Sequence, residues 1–341
     1  MLSFRMIRTI PIETFLESLD SYDLIIDARS PHEYTESHIP LSQNFYALND
    51  EEHHQVGTTY KQVSPFEARV QGASFVCLNA ARHIHDIYPA FTPNSKIAIY
   101  CARGGMRSSS LGTILSSIGY PIDRVIGGYK SYRSVIVSYL ENLPSFNFIT
   151  LAGYTGCGKS DLLCELDNVI DLEKMANHYG SVFGDVIGDQ PGQKEFQNRL
   201  AHALFALQRD KGAFIEAESK RIGKINLPST LYKQMESGLR IEITAPLEQR
   251  IERIRFMYDQ MDENFFRERM ERISPYISRE DKSESITAFE NGELSRVAEI
   301  LLTQYYDKVY KSALKPSLSI CNDDPAKTVE TLKGIQNEYR R

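Results

Sequence analysis

The amino-acid sequence predicts two α/β domains in tandem, the first over residues 1–143 and the second over residues 146–341. Three observations carry this expectation. The 341 residues suffice for two domains, each with its own core. Short apolar runs alternate with helix-like stretches, the pattern of parallel sheets. Twice such a run ends abruptly in a glycine-rich loop that opens a helix, at CARGGMRS and at GYTGCGKS.

In the first half, Leu24 to Ile26 is an apolar run ending at Asp27, read as a buried parallel strand. KIAIY, Lys96 to Tyr100, is a second and ends at Cys101. RVIGGYKSYR carries Val125 and Ile126 into a double glycine. A helix is predicted from Ser108 to Gly119, closed by that glycine and Pro121. Between the first two strands lies a long insert, about 46–76, containing GTTYKQVSPFEARVQG. Inserts of this length are often functional, although a solvated surface excursion is an equal expectation.

Cys101 follows a buried strand directly, so it should lie at the carboxyl end of the sheet, where such folds place ligands. Gly104 and Gly105 let the loop curl until its N–H groups point inward. Those groups, with a helix beginning near Arg107, would favour the thiolate over the thiol. Arg103 and Arg107 are the candidates for holding an anion against it. A buried core cysteine before a surface turn is the plainer alternative, and two glycines with two arginines argue against it.

These pieces carry a resemblance. DARSPHEYTESHIP, YCARGGMRS and VIGGYKSYR, in that order, resemble the signatures of a rhodanese-like domain. The resemblance implies a cysteine that accepts and passes on a chalcogen. One feature departs from it. Five residues separate Cys101 from Arg107, one more than in the common sulfurtransferase loop and as in cysteine phosphatases. The loop is therefore sized for an anion larger than a bare persulfide. Tyr100 stands where those phosphatases usually carry histidine, which weighs against their chemistry.

In the second half, Phe148 to Leu151 is an apolar strand leading into Gly153-Tyr-Thr-Gly-Cys-Gly-Lys159-Ser160 and a helix start. This is a P-loop in its proper context, so the domain is expected to be P-loop NTPase-like. Gly153, Thr155, Gly156 and Gly158 expose backbone N–H groups to phosphates, and Lys159 adds a point charge. Ser160 is the candidate Mg²⁺ ligand, should the metal be used. Glu216 and Glu218, ending the run GAFIEAES, are candidates for the second carboxylate, with Asp171 another. Solvated strand-end carboxylates are an equal expectation. Cys157 is read as a small loop residue. From about residue 228 the chain is expected to be helical. There PLEQRIERIRFMYDQMDENFFRERMERISPY mixes arginines with acids at helical spacing. A solvated helix pair is the first expectation; RNA contact through its arginines with Phe265, Phe266 and Tyr276 is the second.

Composition bounds these readings. Hydrophobic residues make up 42% and charged ones 25%, as in globular proteins. The start, MLSFRMIRTIPIETFLESL, has no continuous apolar stretch, and no later one approaches the ~18 residues a membrane helix needs. A cytoplasmic protein without membrane contact is expected. Five widely spaced cysteines without a CxxC pair argue against disulfides and structural zinc. The net charge of −6 gives no bulk footprint for nucleic acid, so an RNA partner would need a local basic face.

Taken together, the chain resembles the tRNA 2-selenouridine synthase family. GTTYKQVSPFEA, CARGGMRS, GYTGCGKSDLL, LEKMANHYGSVFG, PGQKEFQ and IEAESKRIG match in order. The resemblance implies a tRNA partner with 2-thiouridine at the wobble position and the co-substrates geranyl diphosphate and selenophosphate, with no firm cofactor beyond Mg²⁺ as a candidate. It implies geranylation of the thiouridine sulfur, then replacement by selenium carried on Cys101. The P-loop suits the donor's diphosphate, with ATP or GTP as its competitor. Tyr154, His178 and Arg221 lie in matching segments and become further candidates. A cysteine phosphatase or sulfurtransferase coupled to a nucleotide-binding or kinase domain is the alternative, and a nucleotide-regulated module sensing redox through Cys101 is another. Oligomeric state is left open.

Overall fold

Side-chain branching and local capping explain the elements of the first unit. The computed structural model describes residues 7–310 and 315–339. Residues 1–6 at the start, and residues 311–314 and 340–341 of the expected second domain, lie outside the described residues. Two compact units divide in sequence between Tyr139 and Leu140.

In the first unit the order is β1 (Arg8–Ile10), α1 (Ile12–Glu17), β2 (Leu24–Asp27), α2 (Pro31–Glu36), β3 (Ser42–Asn44), α3 (Asp50–Gln62), α4 (Pro65–Ala90), β4 (Ile97–Tyr100), α5 (Met106–Ser117), β5 (Ile122–Val125) and α6 (Gly128–Glu141). The strands form one sheet, β1-β5-β4-β2-β3, with every pairing parallel. LIID and IAIY are buried throughout, as strands covered on both faces must be. Capping boxes start α2 (Ser30 with Glu33) and α3 (Asn49 with Glu52).

The 46–76 insert folds as α3 and the first half of α4, not as an open loop. Val76 and Ala80 of α4 join the core built on Leu24, Ile26, Ile97 and Ile99, with Val56 of α3 packed against it. The hairpin is thus anchored on the unit's core through α4, while α3 buries none of its residues and keeps a largely solvated face.

In the second unit come β6 (Phe148–Ala152), α7 (Lys159–Cys164), β7 (Val169–Ile170), α8 (Leu172–Ala176), α9 (Gln193–Ala206) and β8 (Ala213–Glu216). A short hairpin, β9 (Arg221–Ile222) and β10 (Ile225–Asn226), follows. Then come α10 (Ser229–Ser237), β11 (Leu239–Thr244), α11 (Leu247–Asp259), α12 (Glu263–Ile273), α13 (Arg279–Glu290) and α14 (Leu294–Leu301). A π-helical turn at Leu302–Tyr306 leads into α15 (Asp307–Val309), before β12 (Leu318–Cys321) and α16 (Pro325–Glu338). The sheet runs β12-β11-β6-β8-β7, again all parallel, with the P-loop strand β6 at its centre.

The region from about 228 is mainly helical, as expected, with the addition of β11 and β12, which complete the sheet within it. The alternation in LRIEIT supplies the reason, with Ile241 and Ile243 fully buried on one face. The helix pair is corrected in part. Phe266 is buried in an aromatic core with Phe183 and Tyr258 and stacks on Phe289 at 4.1 Å, so it is closed to RNA. Arg267 and Arg272 pair with Glu263 and Glu268 one turn away. Phe265 is partly buried, and Tyr276 is exposed.

A polar cluster of Asp27, Arg29 and Tyr100 is buried beneath the end of β4. Arg29 Nη2 donates to Asp27 Oδ2 at 2.6 Å and to the Ser37 carbonyl at 2.7 Å. The Tyr100 hydroxyl donates to the same carboxylate at 2.6 Å. Replacing Asp27 with Ala would strand the guanidinium in the core. We expect Asp27→Ala to destabilise this unit by about 3–5 kcal/mol in urea unfolding, with an unchanged midpoint as the contrary result.

Candidate active sites

Cys101 hangs from the carboxyl end of β4, as expected, and is 3% exposed. Its Sγ accepts from the Gly105 N–H and from the Ser108 hydroxyl, both at 3.2 Å. Gly105 is the N-cap of α5, so the thiol faces the positive end of a twelve-residue helix. The loop curls because Gly104 adopts φ +65°; a Cβ there would sit 2.8 Å from the Val125 carbonyl oxygen. Gly127 and Gly128, the double glycine after β5, also take positive φ, and a Cβ on Gly128 would overlap the Cys101 carbonyl. Tyr129 N–H donates to that carbonyl at 2.9 Å, and Lys130 N–H to the Ala102 carbonyl at 3.0 Å. Glycine-only geometry in two chain segments thus seats the thiol.

Its two arginines behave differently. Arg103 is exposed beside the loop. Arg107 turns onto α2 and pairs with the Glu33 carboxylate through both Nη1 and Nη2. Burial alone would raise the Glu33 carboxyl. The Arg107 hydrogen bond and charge outweigh it and hold that carboxyl below its ordinary value. Glu33 and Ser108 were not singled out from sequence; Glu33 lies in the matching DARSPHEY segment and also caps α2.

The P-loop follows β6 and bends through Gly153, Gly156 and Gly158, all at positive φ. A Cβ on Gly156 would lie 2.9 Å from the Arg250 carbonyl oxygen, and one on Gly158 2.7 Å from Asn322 Nδ2. Arg250 Nε donates to the Thr155 carbonyl at 2.9 Å while its guanidinium pairs with Asp307. Arg253 Nη1 donates to the Gly156 carbonyl at 3.2 Å. Lys159 Nζ donates to the Gly153 carbonyl at 3.0 Å. Burial would cost Lys159 its charge, but the Cys157 sulfur and nearby carboxylates push its pKa up and keep it an ammonium. Cys157 is itself buried in the core under the loop.

Those carboxylates are Glu173, Glu216 and Glu218. The Ser160 hydroxyl lies 3.2 Å from Glu173 Oε2 and 3.3 Å from Glu216 Oε1, and the Glu173 N–H donates to Glu216 Oε2 at 3.0 Å. Glu216 ends β8, as expected; Glu218 lines the cleft. Glu173, at the start of α8, was missed because its neighbours are distant in sequence. Asp171 is instead the N-cap of α8, accepting from Lys174 N–H at 2.8 Å. Among the described residues no group of three His, Cys, Asp or Glu side chains is arranged to hold a metal ion.

The loop opens into a cleft of about 720 Å³ that Lys159, Ser160 and Glu218 share with apolar side chains of α11. Tyr154 flanks it, its ring 4.9 Å from that of Tyr310. His178 is buried and accepts from the Gly180 N–H at 3.1 Å, a structural role. Arg221 is exposed and donates to the Gly223 carbonyl within its hairpin. Among the described residues no helix is long and apolar enough to cross a membrane.

Burial first, then mutual repulsion, pushes Glu173 and Glu216 up to about 8 and Glu218 to about 7. The folded unit therefore binds more protons than the unfolded chain between the ordinary glutamate range and about pH 8, so its stability must fall as pH rises there. Unfolding of the metal-free, ligand-free protein should become easier from pH 5 to pH 8. Glu173→Gln should flatten that slope; an unaltered slope in the variant would contradict the assignment.

Two family models match the chain: the tRNA 2-selenouridine synthase AAA domain over residues 146–283 and the rhodanese-like domain over 12–134. A tRNA 2-selenouridine synthase of Hydrogenovibrio crunogenus is 33% identical, over 84% of this chain and 88% of the relative. One from Shewanella woodyi is 30% identical, over 90% and 92%. One from Pseudomonas aeruginosa is 37% identical, over 71% and 66%.

Proposed function

This chain belongs to the tRNA 2-selenouridine synthase family, and on that premise we propose that it converts the wobble 2-thiouridine of tRNA to 2-selenouridine in two steps. In the first, the thiouridine sulfur attacks the first carbon of geranyl diphosphate. The carbon–oxygen bond breaks, diphosphate departs and the N3 proton is lost. S-alkylation converts a poor leaving group at the base C2 into a good one. In the second, selenophosphate held at the Cys101 loop attacks the base C2 through its selenium; the C2–sulfur bond breaks and geranylthiol departs. Water then cleaves the selenium–phosphorus bond, releasing phosphate and leaving 2-selenouridine.

The observation that carries this reading is that one chain holds a seated thiol and a phosphate loop opening on a part-apolar cleft. Lys159 and the amides of Thr155, Gly156 and Gly158 would take the diphosphate and stabilise its departing charge. Ser160, Glu173 and Glu216 offer the hard oxygen donors suited to Mg²⁺, which would neutralise diphosphate charge when bound. At the other site, the Gly105 N–H and the Ser108 hydroxyl hold the Cys101 sulfur, and the exposed Arg103 beside the loop would meet the anion.

The test is mass spectrometry of nucleosides from 2-thiouridine tRNA incubated with both donors. Wild type should yield 2-selenouridine, and Cys101→Ala should stop at S-geranyl-2-thiouridine. Lys159→Ala should slow S-geranyl formation by about 100-fold. Phosphate release from simple aryl esters, with neither modified nucleoside formed, would favour a phosphatase instead.

A further inference from the structure

One wall of the P-loop cleft is apolar where it meets the phosphate loop. Ile254 and Met257, one helical turn apart on α11, line it. A Cβ on Gly156 would lie 3.0 Å from Ile254 Cγ2, so this wall starts at the loop itself. The Tyr310 hydroxyl accepts from the Gly153 N–H at 3.2 Å, closing the same junction from the other side. Phe256 and Val309 continue the wall and are 59% and 44% exposed.

Their placement has a local cause. The π-helical turn at Leu302–Tyr306 adds a residue to the helical repeat, so consecutive Tyr305 and Tyr306 both enter the aromatic core. That shift of register delivers Val309 and Tyr310 to the cleft. Large apolar side chains exposed inside a cleft, beside groups built for phosphate, call for a ligand with an anionic head and a hydrocarbon tail.

We propose that Ile254, Phe256, Met257, Val309 and the Tyr310 ring form the hydrocarbon subsite that binds the donor's prenyl chain and selects its length. This inference rests on the placement of prenyl diphosphate in the P-loop cleft proposed above. The diphosphate lies on Lys159 and the loop amides, and the chain runs from there along α11 and α15. Burying its methylenes against this wall adds affinity that inorganic diphosphate cannot gain.

Calorimetric titration of the full chain with inorganic diphosphate, ATP, and dimethylallyl, geranyl and farnesyl diphosphates tests both layers. Wild type should bind geranyl diphosphate at least about tenfold more tightly than inorganic diphosphate. Val309→Trp and Met257→Trp should abolish that preference while still binding inorganic diphosphate as wild type does, which also reports that they fold. Phe256→Ser, at an exposed position, should weaken geranyl binding alone, and Met257→Ala should shift preference toward farnesyl. A full geranyl preference retained in both tryptophan variants would overturn the wall assignment and leave the donor site standing. Wild type that binds ATP more tightly, with no gain from the prenyl chain, would overturn both.

Discussion

The cysteine site depends on one buried ion pair, Arg29 with Asp27. Removing two charges from water is costly, and the cost is met only when the geometry is near ideal and every remaining donor and acceptor is used. Here it is met by contacts that reach each segment around the thiol. The carboxylate takes the Tyr100 hydroxyl, fixing the residue just before Cys101. The guanidinium reaches the Ser37 carbonyl and lies 3.9 Å from the centre of the Tyr129 ring. Tyr129 in turn donates its backbone N–H to the Cys101 carbonyl, directly after the double glycine. Burial would weaken the Arg29 charge, but Asp27 holds it well above the ordinary arginine value. Position 100 is therefore occupied by a structural phenol, which explains why histidine is absent there.

The P-loop is held by the opposite device. Its backbone turns through positive φ at three glycines, and cations grip its carbonyls: Arg250 on Thr155, Arg253 on Gly156, Lys159 on Gly153. The inward amides are thereby left for a ligand. The three glutamates beneath it are crowded enough to keep protons near neutrality, a state that an incoming cation or ammonium relieves. Ligand-free, Lys159 serves that purpose itself. A phosphate ligand must draw Lys159 from the Gly153 carbonyl, which the flexible four-carbon stem permits.

What the sequence made legible was what is local. Cys101, Gly104, Lys159 and Ser160 announce themselves because a loop between strand and helix needs glycines at fixed offsets. Both parallel sheets were readable from short apolar runs for the same reason. Glu33, Glu173, Arg250, Arg253 and Tyr310 were not, because each acts across tens of residues and looks in sequence like any helix-surface polar group. β11 was missed although LRIEIT alternates, since an arginine-rich helical segment follows it directly. β12 gives almost no signal: it is a short edge strand, mostly exposed. Phe266 looked accessible beside arginines, yet it faces inward, because helical spacing sets its direction and the neighbouring charges do not.

Arg107 shows how one extra loop residue changes the chemistry. With α5 starting at Met106, Arg107 sits in the helix's first turn, and its side chain meets the third residue of α2 instead of closing over the thiol. Glu33 is bound there twice, by the Ser30 N–H and by Arg107, so it cannot leave cheaply. An anion that recruits Arg107 must therefore compete with a fixed carboxylate. A monoanion would offer no more charge than Glu33 already does, whereas a multiply charged phosphate derivative would. On the proposed function, the pair would therefore favour a multiply charged donor over a monoanion.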